Sequence, residues 1–161
     1  MRAPCVLASH SPITPSQRVV IMLEALFAAV PEQHEAKRLL TAALGEGDAH
    51  AFLFHGPAGV GKTAAAFAFA GAQLGDARRV LERTHPDLMV IEPLGEMIRI
   101  KEIDVLHHDL HLRPFEADRR VYLLLGAHLL NVEAANKLLK DLEEPPLYAT
   151  IVLVADTLGP I

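Results

Sequence analysis

Four short apolar runs recur along the chain: Ala51–Phe54, Leu88–Ile91, Val121–Leu125 and Thr150–Val154. Each has strand length, and none alternates with polar residues, which predicts strands buried on both faces. The stretches between them carry helical periodicity. Lys62 to Leu74 is apolar and alanine-rich and ends at Gly75-Asp76. Ala77–Arg83 adds one or two helical turns. Glu102 to Leu112 places Ile103, Leu106 and Leu110 on one face. Asn131 caps a helix running to Leu142, with Ala134 at the third position, so no capping box forms, and Pro145-Pro146 stop it. Leu138, Leu139 and Leu142 are its expected core positions. Ile98–Ile100 reads as a short extended piece.

Upstream, Gln17 to Val30 is a helical candidate stopped by Pro31. Glu32 to Leu44 is another, with Leu39, Leu40, Ala43 and Leu44 opposite Glu35, Lys37 and Arg38, and Gly45–Asp48 forms a turn. Apolar strands alternating with helices predict an α/β fold, a parallel sheet covered on both faces.

A length of 161 residues suits one domain. A hydrophobic content of 51% without tryptophan predicts an aliphatic core and argues against disorder. The net charge of −5 gives the domain as a whole no attraction for nucleic acid, although a local basic patch stays open. The single cysteine, Cys5, cannot form an internal disulfide or a cysteine zinc site, and fits the reducing cytoplasm. No apolar run reaches membrane-spanning length. Residues 1–30 read as an N-terminal extension, partly flexible, with the helix at 17–30. Pro4, Pro12 and Pro15 do not fit a secretory signal, and the composition allows a start at Met22.

The chemistry concentrates in Gly56-Pro57-Ala58-Gly59-Val60-Gly61-Lys62-Thr63. This is G-x-x-x-x-G-K-[ST] between a predicted strand and a predicted helix, the context a P-loop requires. Its glycines let backbone N–H groups close around phosphates, and the helix N-terminus adds positive charge there. Lys62 is placed for the β- and γ-phosphates and the Thr63 hydroxyl for Mg²⁺.

Several segments resemble one family. His50–Pro57, Thr84-His85-Pro86-Asp87, Ile98-Arg99-Ile100 with Ile103, and Leu112–Glu116 with Arg119–Tyr122 are similar to the bacterial DNA polymerase III clamp-loader subunits, delta-prime and gamma/tau. The run Asn131 to Pro146, N-V-E-A-A-N-K-L-L-K-D-L-E-E-P-P, is the most specific match. The resemblance covers residues 31–161 and is strongest to the delta-prime type. It implies a three-layer P-loop NTPase domain of the AAA+ class, strand order 5-1-4-3-2, truncated before its last strand, lid and collar. It also implies partnership with gamma/tau and delta subunits, and action on a sliding clamp and primer–template DNA as part of the DNA polymerase III holoenzyme, with no membrane role.

The departures from that family are chemical. Its active members carry an Asp-Glu pair after the third strand, for metal and for the attacking water. Leu125 and Gly126 stand there instead, so no catalytic residue is assigned. The cysteine zinc module after the P-loop helix is absent as well. The resemblance then implies a structural, hydrolysis-defective subunit that admits ATP or ADP, with weak or no Mg²⁺ and no zinc. An active ATPase using Lys62, Thr63 and an unrecognised carboxylate is the alternative. A small-molecule kinase is weaker, lacking an acceptor-binding acid. Asp156 or Thr157 falls at the family's sensor position. Glu143-Glu144 reads as an exposed helix end rather than a displaced acidic pair. His107 and His111 have metal-binding spacing on a helix, against the simpler reading as solvated histidines. Arg119 and Arg120 fit either a DNA phosphate contact or a charged strand entry.

Overall fold

The computed structural model describes residues 38–42 and 49–157. Residues 38–42 are helical, inside the predicted 32–44 segment. The expected N-terminal extension, with the helix expected at 17–30, the turn expected at 45–48 and residues 158–161 lie outside the described residues.

Four parallel strands form one sheet in the order β1-β4-β3-β2: β1 is Ala51–His55, β2 Leu88–Ile91, β3 Arg120–Leu125 and β4 Ala149–Ala155. The register pairs Leu53 with Leu153, Leu124 with Leu153, and Ile91 with Leu124. Helices cover both faces. On one lie α1, Lys62–Leu74, and α2, Ala77–Leu81. On the other lie α3, Ile100–Leu110, and α4, Val132–Glu143.

Because successive strand residues face opposite ways, each central strand feeds two cores. Val121, Leu123 and Leu125 of β3 and Val152 and Val154 of β4 pack with Phe67, Phe69 and Ala70 of α1. Tyr122, Leu124 and Ile151 pack with Ile103, Leu106 and Leu110 of α3 and Leu138 of α4. Phe69 is an anchor of the first core: its ring meets Phe52 and Phe54 of β1 edge-on, with centroids 4.7 and 6.0 Å away. The arrangement is the three-layer α/β architecture.

Three local expectations are corrected. Helix α3 begins at Ile100, not Glu102, because the Arg99 N–H donates to Glu102 Oε2 at 3.0 Å and closes the first turn. Only Ile98 of the expected extended piece pairs, in a parallel bridge with Leu130. Leu139 is not core: it is 44% exposed, whereas Leu138 is buried and Leu142 packs at the core margin. β1 is equally apolar but sits at the sheet edge among the described residues, and Leu53 is half-exposed.

Candidate functional site

The loop from Gly56 to Gly61 leaves β1 and enters α1 at the carboxyl end of the sheet. Its start is fastened to the neighbouring strand by Gly56 N–H donating to the Ala155 carbonyl at 3.3 Å. Its end turns on Gly61, whose φ of 89° lies in the left-handed region that disfavours side chains. Gly61 then accepts the first helical bond, from Ala65 N–H at 2.9 Å. No side chain caps α1. The first-turn N–H groups therefore lack intrahelical partners and face the loop, at the positive end of the helix. Uncapped donors, a lysine and an exposed Thr63 hydroxyl suit an anionic phosphate chain. The eight residues Gly56, Pro57, Ala58, Gly59, Val60, Gly61, Lys62 and Thr63 run from the end of β1 into the first turn of α1.

Lys62 is folded inward, with its side chain only 8% exposed. Its Nζ donates to the Pro57 carbonyl at 2.6 Å and pairs with Asp156 Oδ1 at 2.9 Å. Asp156 follows β4 directly. The hydrogen bond from Lys62 holds its carboxyl below the usual range; partial desolvation opposes this, and the charge of Lys62 and His128 adds to the lowering. His128 lies in the short helical turn Ala127–Leu129 after β3, and its Nδ1 accepts the Asp156 N–H at 3.1 Å. Of the two residues considered for the sensor position, Asp156 makes the site contacts and Thr157 is exposed.

The tip of β3 holds no acid. Leu125 is buried in the α1-side core. Gly126 has φ 79°, and a Cβ there would lie 3.4 Å from Leu129 Cδ1 and 3.7 Å from Pro93. A side chain at Gly126 thus meets backbone strain before it meets any ligand. For Mg²⁺, the donor set at these positions is reduced to the Thr63 hydroxyl.

The other candidates resolve differently. Arg120 is not a solvent-facing strand entry: it is 5% exposed, pairs with Asp109 at 2.6 Å and reaches the Arg113 carbonyl. Tyr122 donates to the same carboxylate at 3.0 Å; burial pushes its phenol far up, and Asp109 adds to the rise while Arg120 opposes it. His107 is not simply solvated, since its Nδ1 lies 2.6 Å from buried Asp141 Oδ1. His107 and His111 touch ring to ring at 5.2 Å, but no cluster of three metal-ligating side chains occurs among the described residues. Glu143 and Glu144 are exposed at the end of α4.

Asp87 escaped the sequence reading. It is 1% exposed and accepts N–H bonds from Phe115, Glu116 and Ala117 at 2.6, 2.9 and 2.9 Å. Burial pushes its carboxyl up, but the three N–H bonds and Arg120 outweigh this and hold it low. The sequence signals were its place beside Pro86 before a strand and its membership of the family-like segment Thr84-His85-Pro86-Asp87, neither of which assigned it a role.

A three-layer parallel sheet with a phosphate-type loop between β1 and α1 defines an α/β domain of the P-loop type. The comparisons narrow this further. The chain belongs to the family described as DNA polymerase III, delta subunit, which it matches over residues 32–160. It is 35% identical over 122 residues to the DNA polymerase III subunit delta' of Pseudomonas aeruginosa, covering 66% of this chain and 37% of that protein. It is 32% identical over 119 residues to the subunit delta' of Bacillus subtilis, covering 66% and 36%. A crystal structure of a DNA polymerase III gamma subunit-related protein from Thermotoga maritima shares the fold, with TM-score 0.54 and 24% identity over 74% of this chain and 38% of that one. The chain spans little more than a third of the length of these delta' relatives.

Proposed function

We propose that the chain is a delta-prime-like subunit of the bacterial clamp loader that holds nucleotide in its P-loop without hydrolysing it. The observation that carries this is the contrast between an intact Gly61–Lys62–Thr63 corner and a β3 tip made of buried Leu125 and left-handed Gly126. The loop offers donors for phosphate. The β3 tip offers nothing to hold Mg²⁺ or orient water. Family membership supports the setting: a cytoplasmic assembly with gamma/tau and delta subunits that places a sliding clamp on primer–template DNA within the DNA polymerase III holoenzyme. In that assembly the subunit's work is structural.

The second reading, an active ATPase, needs a carboxylate near Lys62, and Asp156 is one. Its engagement with Lys62 itself counts against a role in metal binding. Steady-state ATP turnover by the purified full-length subunit separates the two. The structural reading expects none above background with or without Mg²⁺. Turnover that disappears in Lys62→Ala would establish the active enzyme.

A further inference from the structure

We propose that Asp156 is an internal counter-ion for Lys62 with which nucleotide phosphate must compete, so that this one carboxylate lowers the affinity of the P-loop. The inference rests on the reading that the loop takes nucleotide, and concerns what limits that binding.

Lys62 is the loop's only cationic side chain. Two of its three ammonium donors are already used, by Asp156 Oδ1 at 2.9 Å and by the Pro57 carbonyl at 2.6 Å. The Lys62 side chain is 8% exposed and folded onto the loop, while its Asp156 partner is 44% exposed. Asp156 is also held from behind. Its N–H is tied to His128 Nδ1 at 3.1 Å, and the preceding Ala155 carbonyl accepts from Gly56 N–H at 3.3 Å. These bonds fix the backbone that carries the carboxylate beside the loop.

A phosphate that recruits Lys62 takes its remaining donor or displaces the Asp156 contact, and in either case lies beside a carboxylate that competes for the same cation. The repulsion falls on binding because the two anions would share one cation within a few ångströms. Nothing at the β3 tip supplies a metal-holding group to relieve it. Loss of the Asp156 charge should release Lys62 and tighten binding. A metal-ligating Asp156 would behave in the opposite way.

The test uses the full chain with two readouts. ADP is titrated in EDTA and in Mg²⁺ into the natural protein and into Asp156→Asn, whose side chain is 44% exposed in the parent and so tolerates an isosteric change. In parallel, acylation of the Lys62 amine by a small anhydride is followed by mass spectrometry without nucleotide. The proposal expects faster Lys62 acylation in Asp156→Asn and at least tenfold tighter ADP binding in EDTA, about 1.4 kcal/mol. Unchanged acylation would overturn the pairing. Faster acylation with unchanged or weaker ADP binding would overturn the competition. Weaker binding confined to Mg²⁺ would make Asp156 a metal ligand and overturn it too. Faster acylation with no ADP bound by either protein would overturn the nucleotide reading as well, the labelling having shown that the pair itself was present.

Discussion

At the amino ends of β2 and β3 the charged side chains are buried and paired, whereas at the carboxyl ends of β3 and β4 the expected acids are missing and the one present is turned onto the loop lysine. Asp87 and Arg120 stand at the first end, among backbone donors, Asp109 and Tyr122. Leu125, Gly126 and Asp156 stand at the second. The difference teaches that the buried charges stand where they close loops and strand ends, at Asp87 and Arg120, while the β3 tip carries no acid. A buried carboxylate that closes a loop is costly to remove. Leu125 is buried in the α1-side core, where an unpaired carboxylate would cost desolvation.

Breaking the first end should have the largest effect. Asp87→Ala leaves three backbone donors without their acceptor and should destabilise the domain by on the order of 3 kcal/mol, read from urea denaturation. The pH dependence follows from the sign of its shift. The folded carboxyl lies below its unfolded value, so its stabilisation is fully present above the ordinary carboxylate range and is lost as pH falls through the lowered folded value. Acid unfolding of the natural protein should therefore be steeper than that of Asp87→Asn, measured by circular dichroism.

At the second end, Lys62→Ala should leave the fold nearly unchanged but weaken nucleotide binding by about 1.5–3 kcal/mol, the worth of a charge-assisted contact. Calorimetric titration of ADP measures it. Replacing both positions at the β3 tip, Leu125→Asp with Gly126→Glu, should make binding Mg²⁺-dependent, at a cost in stability of about 1–2 kcal/mol from the left-handed backbone at position 126 plus the lost packing of Leu125. A folded double variant without Mg²⁺ dependence would show that these are not the vacated positions. The smallest effect should come from Glu116, which pairs with Arg79 and His85 at the amino end but is 45% exposed. Glu116→Gln should change stability by less than about 1 kcal/mol, with thermal melts as the readout.

The strands were legible because fully buried strands write continuous apolar runs, and all four were placed within one residue at each end. Edge position was not legible: Ala51–Phe54 reads like the central strands although Leu53 is half-exposed, since hydropathy carries no neighbour count. The start of α3 was missed because Arg99 is not a usual capping residue, and the Glu102 bond that closes the turn depends on backbone direction. At the site, the loop residues were readable from spacing alone. Asp156 was only a position near a sensor, and its hold on Lys62 requires β4 beside β1. Asp87 looked like any loop aspartate because its partners lie 28 to 30 residues further along the chain. Arg120 failed the same way: a charged residue beside an apolar run reads as surface unless its partner is known.

A loop that takes nucleotide beside a β3 tip with no metal-holding group should bind it independently of Mg²⁺. Equilibrium titration of ADP and ATP into the full-length subunit, once in EDTA and once in excess Mg²⁺, tests it most directly. Affinities that agree within a few-fold in the two conditions, and that collapse in Lys62→Ala, are the predicted result. Binding that appears only with Mg²⁺ would contradict it, because a metal site would then exist where Leu125 and Gly126 provide none.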